Sequence, residues 1–175
     1  MEITTVLSDY MRYIFQDSKK QRNVEEELEH IEAYIRIQKL RYGEEAFSFE
    51  ATMDGDIGEW KVPSLLLQTL VENSVVHGVS LDRKSEISLY LTNETYEDGE
   101  YLYICISDTG NGFRKEALDA IKHDTPIIYH GRHHVGISNI KRRLALMYGE
   151  RASITCSNMD ENYGAVVEVR LPKTE

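Results

Sequence analysis

The sequence predicts a two-layer α/β sandwich, in which a mixed sheet carries helices on one face and follows an N-terminal pair of helices. Apolar residues recur at helical spacing up to residue 43, and five later segments have the apolar patterns of strands. Two further helical stripes separate those strands, and helices that alternate with strands pack on a sheet in layers. We therefore predict a helical segment at 1–43 and one α/β domain at 44–175.

The N-terminal segment contains two helical stripes. The first stripe, between residues 3 and 15, consists of Ile3, Val6, Leu7, Tyr10, Met11 and Ile14. After a polar break at 16–21, Asn23 and Glu26 have the spacing of a capping pair that opens a second helix. The seam of this second helix has near-heptad spacing and consists of Val24, Leu28, Ile31, Ile35 and Tyr42. Two to three heptads fit either a coiled coil or a helix packed on its own domain.

The apolar period changes after the second helix. Alternation at Phe47, Phe49 and Ala51 predicts a strand over 46–53, and Ile87, Leu89 and Leu91 predict the next. The runs 101–107, 152–157 and 165–171 predict three more strands, joined by turns rich in Asn, Asp and Gly. Cys105 and Cys156 both fall within predicted strands, which is typical of reduced core thiols.

The stretch from Pro63 to His77 predicts a helix, since Leu66, Leu70 and His77 lie at helical spacing over four turns. Pro63 suits the first turn of this helix and Gly78 suits its C-terminal cap. Glu72 and Asn73 lie on its late part, and a carboxamide oxygen is a ligand that Mg²⁺ accepts. A Glu-Asn pair on a helix is, taken alone, most often solvated surface.

A predicted buried strand ends in Ser107-Asp108-Thr109-Gly110-Asn111-Gly112. A carboxylate at this place can accept hydrogen bonds from a flat polar ligand, and the glycines let the backbone pass close to that ligand. For this hexapeptide alone, an ordinary Asp-Gly turn is the more frequent explanation.

The stretch 136–149 predicts an amphipathic helix, because apolar residues occur at 137, 140, 144 and 147. The helix opens at Gly136. Its N-terminus orients backbone N–H groups and the positive end of its dipole toward whatever precedes Gly136, which suits a phosphate group.

The three segments together resemble the N box, G1 box and G2 box of the Bergerat (GHKL) ATP-binding fold. The motifs are Glu72-Asn73-x3-His77-Gly78, then Asp108-x-Gly110-x-Gly112, then Val135-Gly136-Ile137-x-Asn139-Ile140-x3-Leu144. Their order and spacing most resemble the LytS/YesM-like sensor histidine kinases. The run 28–43 is also similar to the segment that joins the dimerisation helices to the ATPase domain in that group.

The resemblance implies ATP and Mg²⁺ as cofactors and assigns each a site. Asp108 would accept a hydrogen bond from the exocyclic amine of adenine, because an ionised carboxylate only accepts. Gly110 and Gly112 would let the backbone pass the base and the sugar. Asn73 would be the metal ligand, and Glu72 beside it would orient a water molecule or polarise a nucleophile.

The resemblance also implies a phosphate site at the start of the 136–149 helix. Backbone N–H groups around Val135, Gly136 and Ile137 would bind the phosphates. His77 and either Arg143 or Arg142 would face the phosphates as well, although the basic run 141–143 fits a solvated surface equally well.

Three positions depart from the family pattern. Val76 stands where many relatives have a basic residue, and His134 stands where a lid glycine is usual. Thr69 stands where hydrolytic members have an acid that activates water, which favours a kinase over an ATPase. The long segment 113–134 corresponds to the ATP lid of the family and carries four of the six histidines, which solvation explains better than a metal site.

The implied activity is transfer of the γ-phosphate of ATP to a histidine on a helix not present in this chain, since no Asn-Pro-His-Phe-like acceptor motif occurs. We expect the cytoplasmic catalytic piece of a longer, membrane-anchored kinase that is a homodimer and phosphorylates a response regulator. The alternatives are an anti-sigma-type serine/threonine kinase and a nucleotide-sensing or scaffold module of the same fold that transfers no phosphate.

The composition agrees with a globular protein that does not bind nucleic acid as its main partner. The net charge is −10 and hydrophobic residues make up 41% of the chain. No apolar run in the sequence approaches the length of a membrane span.

Overall fold

The computed structural model describes residues 20–80, 82–123, 128–129, 132–133, 136–161 and 163–174. The helices there are α1 (Val24–Tyr42), α2 (Leu66–Gly78), α3 (Lys115–His123) and α4 (Gly136–Tyr148), with a 3₁₀ turn at Gly149–Arg151. The strands are β1 (Gln21–Asn23), β2 (Phe47–Asp54), β3 (Lys61–Pro63), β4 (Ser85–Tyr96), β5 (Gly99–Asp108), β6 (Ile128–Tyr129), β7 (Arg132–His133), β8 (Ser153–Asp160) and β9 (Tyr163–Pro172). The helix predicted at 3–15 lies outside the described residues.

Five strands form one mixed sheet in the order β2-β4-β5-β9-β8. β2 runs parallel to β4, and the other neighbours are antiparallel. Short pairs of strands, β1 with β3 and β6 with β7, lie apart from this sheet. The five predicted strands are therefore confirmed, whereas the sequence pattern did not predict the four short ones.

The helices cover one face of the sheet and share a single hydrophobic core with it. Alternate residues of the three central strands are buried: Ile87, Leu89, Leu91, Leu102, Ile104, Ile106, Val167, Val169 and Leu171. The helices contribute Ile31 and Ile35, Leu67, Leu70 and Val71, and Ile140 and Leu144 to the same core. The predicted two-layer sandwich with a mixed sheet is confirmed, and the α/β fold is the expected one.

Helix α1 packs on its own domain, which decides between the two alternatives left open by its heptad-like seam. Val24 and Ile31 are fully buried in the common core, and Leu28 and Tyr42 are partly buried against it. At the helix start, the Asn23 N–H donates to Glu26 Oε2 at 3.4 Å, as the predicted capping pair requires. The boundary at residue 43 stays a prediction, but the core crosses it.

Two predicted roles at the ends of α2 are wrong. Pro63 does not open the helix: it is the last residue of β3, paired with Gln21, and α2 begins only at Leu66. Gly78 is the last helical residue rather than the cap, and Val79 is the C-cap. Both errors have one cause, because contacts with distant parts of the chain override the local preferences of proline and glycine.

None of the helices within the described ranges combines the length and the apolarity needed to cross a bilayer. Both cysteines lie in strands, as predicted, and are partly buried without a disulfide. Burial raises the pKa of Cys156 to about 12, so its thiol stays protonated at neutral pH.

We expect the stability of the fold to fall as the pH falls from about 6.5 to about 4. Burial, aided by the charge of Arg22, lowers the pKa of His30 to about 4, while the unfolded chain binds that proton near pH 6.5. Protonation therefore favours the unfolded state within that window, by about 2 kcal/mol between pH 7 and pH 5. Denaturant titrations of the wild type and His30→Leu at both pH values measure it. Equal losses in both proteins would contradict the assignment to His30.

Candidate nucleotide-binding site

Asp108 lies at the end of β5 with its side chain under the helical layer, only 3% exposed. Its Oδ1 accepts the N–H of Gly110 at 2.9 Å. The Ser74 hydroxyl and the Ala165 N–H also bond to this carboxylate. Burial raises the pKa of Asp108, and these hydrogen bonds and the nearby His77 oppose the rise only in part. The structure thus buries a carboxyl group where α2, β5 and β9 meet.

Two glycines allow α2 and the Asp108–Gly110 turn to touch. A Cβ atom added to Gly110 would lie 2.5 Å from the Cα of Gly78, and one added to Gly78 would lie 2.7 Å from Cγ of Asp108. Neither distance leaves room for a side chain. The glycine that ends the helix is therefore required by close approach to the carboxyl group, which the sequence-based assignment as a cap missed.

Hydrogen bonds fix the backbone on both sides of this contact. The Gly164 N–H donates to the Gly110 carbonyl at 2.9 Å, and the Arg83 guanidinium donates to the Thr109 carbonyl at 2.7 Å. On the helix side, the Ser85 hydroxyl donates to the Gly78 carbonyl at 2.9 Å. The site is therefore a preorganised junction of strand ends and a helix end.

Asn73 lies against the start of α4. A Cβ atom added to Gly136 would lie 2.9 Å from both Nδ2 and Oδ1 of Asn73. Nδ2 donates to the Thr69 carbonyl at 2.9 Å, one helical turn earlier. Since the nitrogen is committed to the helix, the carboxamide oxygen is the atom of Asn73 that can ligate a metal.

A cleft of about 150 Å³ separates the first half of α2 from α4. Thr69 and Gly136, both in contact with Asn73, belong to its lining, together with Pro63, Leu65, Leu66, Asn139, Ile140, Arg143 and Leu144. The cleft thus extends from the asparagine to the turn that precedes α2.

The remaining polar residues predicted for the site have different partners. Glu72 Oε1 accepts a hydrogen bond from Gln68 Nε2 at 2.8 Å within α2. His77 is exposed near Asp108. Arg143 donates to the backbone carbonyls of Ser64 at 2.5 Å and Lys20 at 3.3 Å, so its guanidinium joins α4 to the turn before α2.

Gly112 has a φ of 71°, in the left-handed region that favours glycine. Its Cα faces Asn158, whose side chain bonds the N–H and the carbonyl of Phe113 at 2.7 and 2.9 Å. The turn after β5 is thereby held to β8. Ile137 is buried in the core with its backbone in the first turn of α4, and Val135 lies outside the described residues.

Sequence reasoning missed Ser74, Ala165 and Asn158. A signal existed for Ser74, which lies four residues before Gly78 and so on the same face of α2. Ala165 acts through its backbone and Asn158 through a contact with a residue 45 positions away, and neither leaves a pattern in the sequence.

The arrangement offers two kinds of chemistry, side by side along α2. The buried carboxyl group and flat glycine surface at Asp108 suit a planar base that has an amine. The oxygen of Asn73 and the N-terminus of α4 suit a hydrated divalent cation and phosphate.

Two family models match the chain. The model described as histidine kinase-, DNA gyrase B-, and HSP90-like ATPase matches residues 62–175, more than half of the chain, and includes all three motif segments. The model described as histidine kinase matches residues 1–46.

Similar proteins include several sensor kinases. Sensor histidine kinase YpdA of Escherichia coli (strain K12) is 31% identical over 149 residues, which cover 82% of this chain and 24% of that protein. Sensor protein LytS of Streptococcus agalactiae serotype V is 29% identical over 170 residues, which cover 95% of this chain and 27% of that protein. The chain spans about a quarter of the length of these relatives. They confirm the resemblance to LytS-like sensor histidine kinases.

Similar solved structures are histidine kinases as well. The catalytic domain of histidine kinase ThkA has a TM-score of 0.64 and 16% identity, and the match covers 88% of this chain and 95% of that one. Histidine kinase ThkA in complex with response regulator protein TrrA has a TM-score of 0.59 and 16% identity, covering 98% and 48%. At this identity the likeness shows the fold, which is the predicted Bergerat type.

Proposed function

Given that the chain belongs to the histidine kinase-, DNA gyrase B- and HSP90-like ATPase family, we propose that it binds Mg²⁺-ATP and donates the γ-phosphate to a histidine. The histidine would lie on a helix whose motif is missing from this sequence. One observation carries the proposal: Asp108 meets Gly78 at one end of α2, and Asn73 meets Gly136 one turn earlier, so all three motif segments converge.

The base-binding role falls to Asp108. Its buried carboxyl group would accept the hydrogen bond of the adenine amine, and Gly110, which has no side chain, would let the backbone pass the base. Guanine has a carbonyl in place of this amine, so two hydrogen-bond acceptors would face each other. We therefore propose selectivity for ATP over GTP.

The residues around Asn73 fit a magnesium ion. The bond from Asn73 Nδ2 to the Thr69 carbonyl orients the carboxamide, and the absence of a side chain at Gly136 lets the start of α4 lie directly against it. A magnesium ion held there would supply neutralisation of the phosphate charge. Asn73 would hold the ion, and the first N–H groups of α4 would hold the phosphates.

Transfer needs positioning rather than a covalent nucleophile in this chain. Glu72 would orient the incoming group from its place beside Asn73, with Gln68 holding one carboxylate oxygen. Val135 and His77 complete the proposed contacts with the phosphates, and Gly112 those with the sugar. For Arg143 we propose a longer-range electrostatic role, because its guanidinium is bonded to backbone carbonyls.

The sensor kinases that the chain resembles support the proposed partners. We propose that the parent protein is a membrane-anchored homodimer whose cytoplasmic part contains this domain. A response regulator would be its downstream partner, as the complex of ThkA with the response regulator TrrA suggests.

We expect Asn73→Ala to reduce phosphotransfer by roughly 100-fold, because the ligated metal contributes several kcal/mol to the transition state. The assay supplies γ-labelled ATP, Mg²⁺ and a helix pair that bears the acceptor motif. Adenosine binding without Mg²⁺ should change little.

The matched control is Asn93→Ala. Asn93 is exposed on β4 and lies six residues beyond Ile87, which pairs with Asp108 of β5. Absence of any transfer by the wild type would contradict the proposed kinase activity and favour a nucleotide-sensing module. Equal losses of adenosine and Mg²⁺-ATP binding in Asn73→Ala would assign the asparagine a structural role.

A further inference from the structure

The turn that precedes α2 has an unusual conformation. Leu65 has a φ of 62°, the one positive value among the non-glycine residues of the described ranges. This left-handed conformation is unfavourable for leucine, and it persists only where surrounding contacts hold the residue in it. The contacts here involve two other helices, α1 and α4, and they act on the helix that carries Asn73.

The contact from α1 is a buried carboxylate. Glu27 is 0% exposed, and its Oε1 accepts the N–H of Leu65 at 2.8 Å. This N–H precedes the first residue of α2, where backbone donors lack helical partners and the helix dipole favours negative charge. Burying a glutamate is costly, so its place opposite this N–H indicates a specific role rather than general packing.

The contact from α4 fixes the neighbouring residue. The Arg143 guanidinium donates to the Ser64 carbonyl at 2.5 Å, two helical turns along α4 from Gly136. At the other end of the same helix pair, Gly136 touches Asn73. The cleft of about 150 Å³ lies between these two contacts, which together set the separation of α2 and α4.

A displacement at Leu65 reaches Asn73 because a helix transmits it. Asn73 lies eight residues beyond Leu65, about 12 Å along a rigid α-helix. Asn73 and the first turn of α4 would bind the metal and the phosphates together. Their relative position must therefore be correct to within a fraction of an ångström. The position of α1 thus bears directly on the geometry of the metal site.

We propose that Glu27 is a positioning residue, through which α1 holds α2 in the register that the metal ligand Asn73 needs. This inference rests on the proposed function. The coupling between α1 and bound Mg²⁺-ATP is then reciprocal. A displacement of α1 weakens nucleotide binding, and nucleotide binding strengthens the hydrogen bond from the Leu65 N–H to Glu27. Residues upstream of α1 would act on the metal site by this route.

The first test compares Glu27→Ala and Glu27→Gln in the full chain by calorimetry. We expect the alanine variant to lose about tenfold or more in affinity for Mg²⁺-ATP and less than about twofold for metal-free adenosine. The glutamine variant should recover most of the loss, since its carbonyl oxygen can accept the Leu65 N–H.

The matched control is Glu26→Ala. Glu26 is the residue of α1 that precedes Glu27. It also accepts a backbone N–H, but that N–H belongs to Asn23 at the start of α1 itself. If Glu27 has a purely structural role, Glu27→Ala should weaken the binding of both ligands alike or leave both affinities unchanged. Either result overturns the proposal. If the wild type binds adenosine and Mg²⁺-ATP with the same affinity, the proposed function is contradicted, and the positioning role of Glu27 with it.

The second test needs no variant and stands if Glu27→Ala fails to fold. Amide hydrogen exchange of the wild type is measured with adenosine and with Mg²⁺-ATP at equal saturation. Exchange at Leu65 should slow several-fold more with Mg²⁺-ATP, whereas Gly43, whose N–H donates to Lys39 at the far end of α1, should show no such difference. Equal protection of both amides by the two ligands would refute the coupling.

Discussion

Asp108→Asn should remove most ATP binding, with a loss of roughly 2–4 kcal/mol, or about 30- to 1,000-fold in affinity. The amide presents N–H donors where the carboxylate accepts from the Gly110 and Ala165 N–H groups and from Ser74. It would also present a donor to the amine of an adenine bound at the proposed site. Calorimetry with ATP, supported by melting temperatures that show a folded variant, measures the effect.

Asp82→Asn is the control for this substitution, because Asp82 is exposed in the loop that follows α2. It should bind ATP as the wild type does. Unchanged affinity in Asp108→Asn would show that the base binds elsewhere, and the proposed nucleotide site would then be lost.

Gly110→Ala should weaken nucleotide binding and destabilise the fold together. The added methyl would lie 2.5 Å from the Gly78 Cα and 2.9 Å from the Gly78 carbonyl oxygen. Since these are backbone atoms, α2 must move away from β5, at a cost of roughly 1–3 kcal/mol in stability. The loss of ATP affinity should exceed tenfold, since α2 carries both Asn73 and the helix end beside the proposed base site.

Gly58→Ala provides the comparison for steric effects. A methyl at Gly58 would also come within 3 Å of other atoms, but these belong to the flexible side chain of Glu25. Denaturant unfolding should show little change for Gly58→Ala and a clear loss for Gly110→Ala. Similar small effects in both would mean that the contact between α2 and the Asp108 turn is loose.

The parts of the fold that sequence reasoning predicted are those whose signals are local. Apolar residues at 137, 140 and 144 predicted α4, and alternation from Ile87 to Leu91 predicted β4, since period alone specifies which face is buried. The convergence of the three motifs followed from the resemblance rather than from any pattern in the residues themselves.

What could not be predicted depends on partners distant in the chain. Local rules make Pro63 a helix opener, but its pairing with Gln21 places it in β3. Helix α2 lacks a side-chain cap at Leu65, and the Leu65 N–H is satisfied by Glu27, 38 residues earlier. The sequence favoured a solvated surface for the basic run as much as a phosphate site, and the Arg143 side chain instead binds a carbonyl 79 residues away.

The continuity of the hydrophobic core through α1 matters for exchanging modules between kinases. One family model ends at residue 46 and another begins at 62, yet Val24, Ile31, Tyr34 and Ile35 are buried against the elements that follow. A chimera joined at either boundary would replace the partner of these four side chains, each worth roughly 1.5–3 kcal/mol when buried. Their sum is comparable with the whole stability of a typical domain. The unit that can be grafted with its own stability therefore starts before Val24, and a sensor transplanted onto this chain should be fused upstream of Gln21.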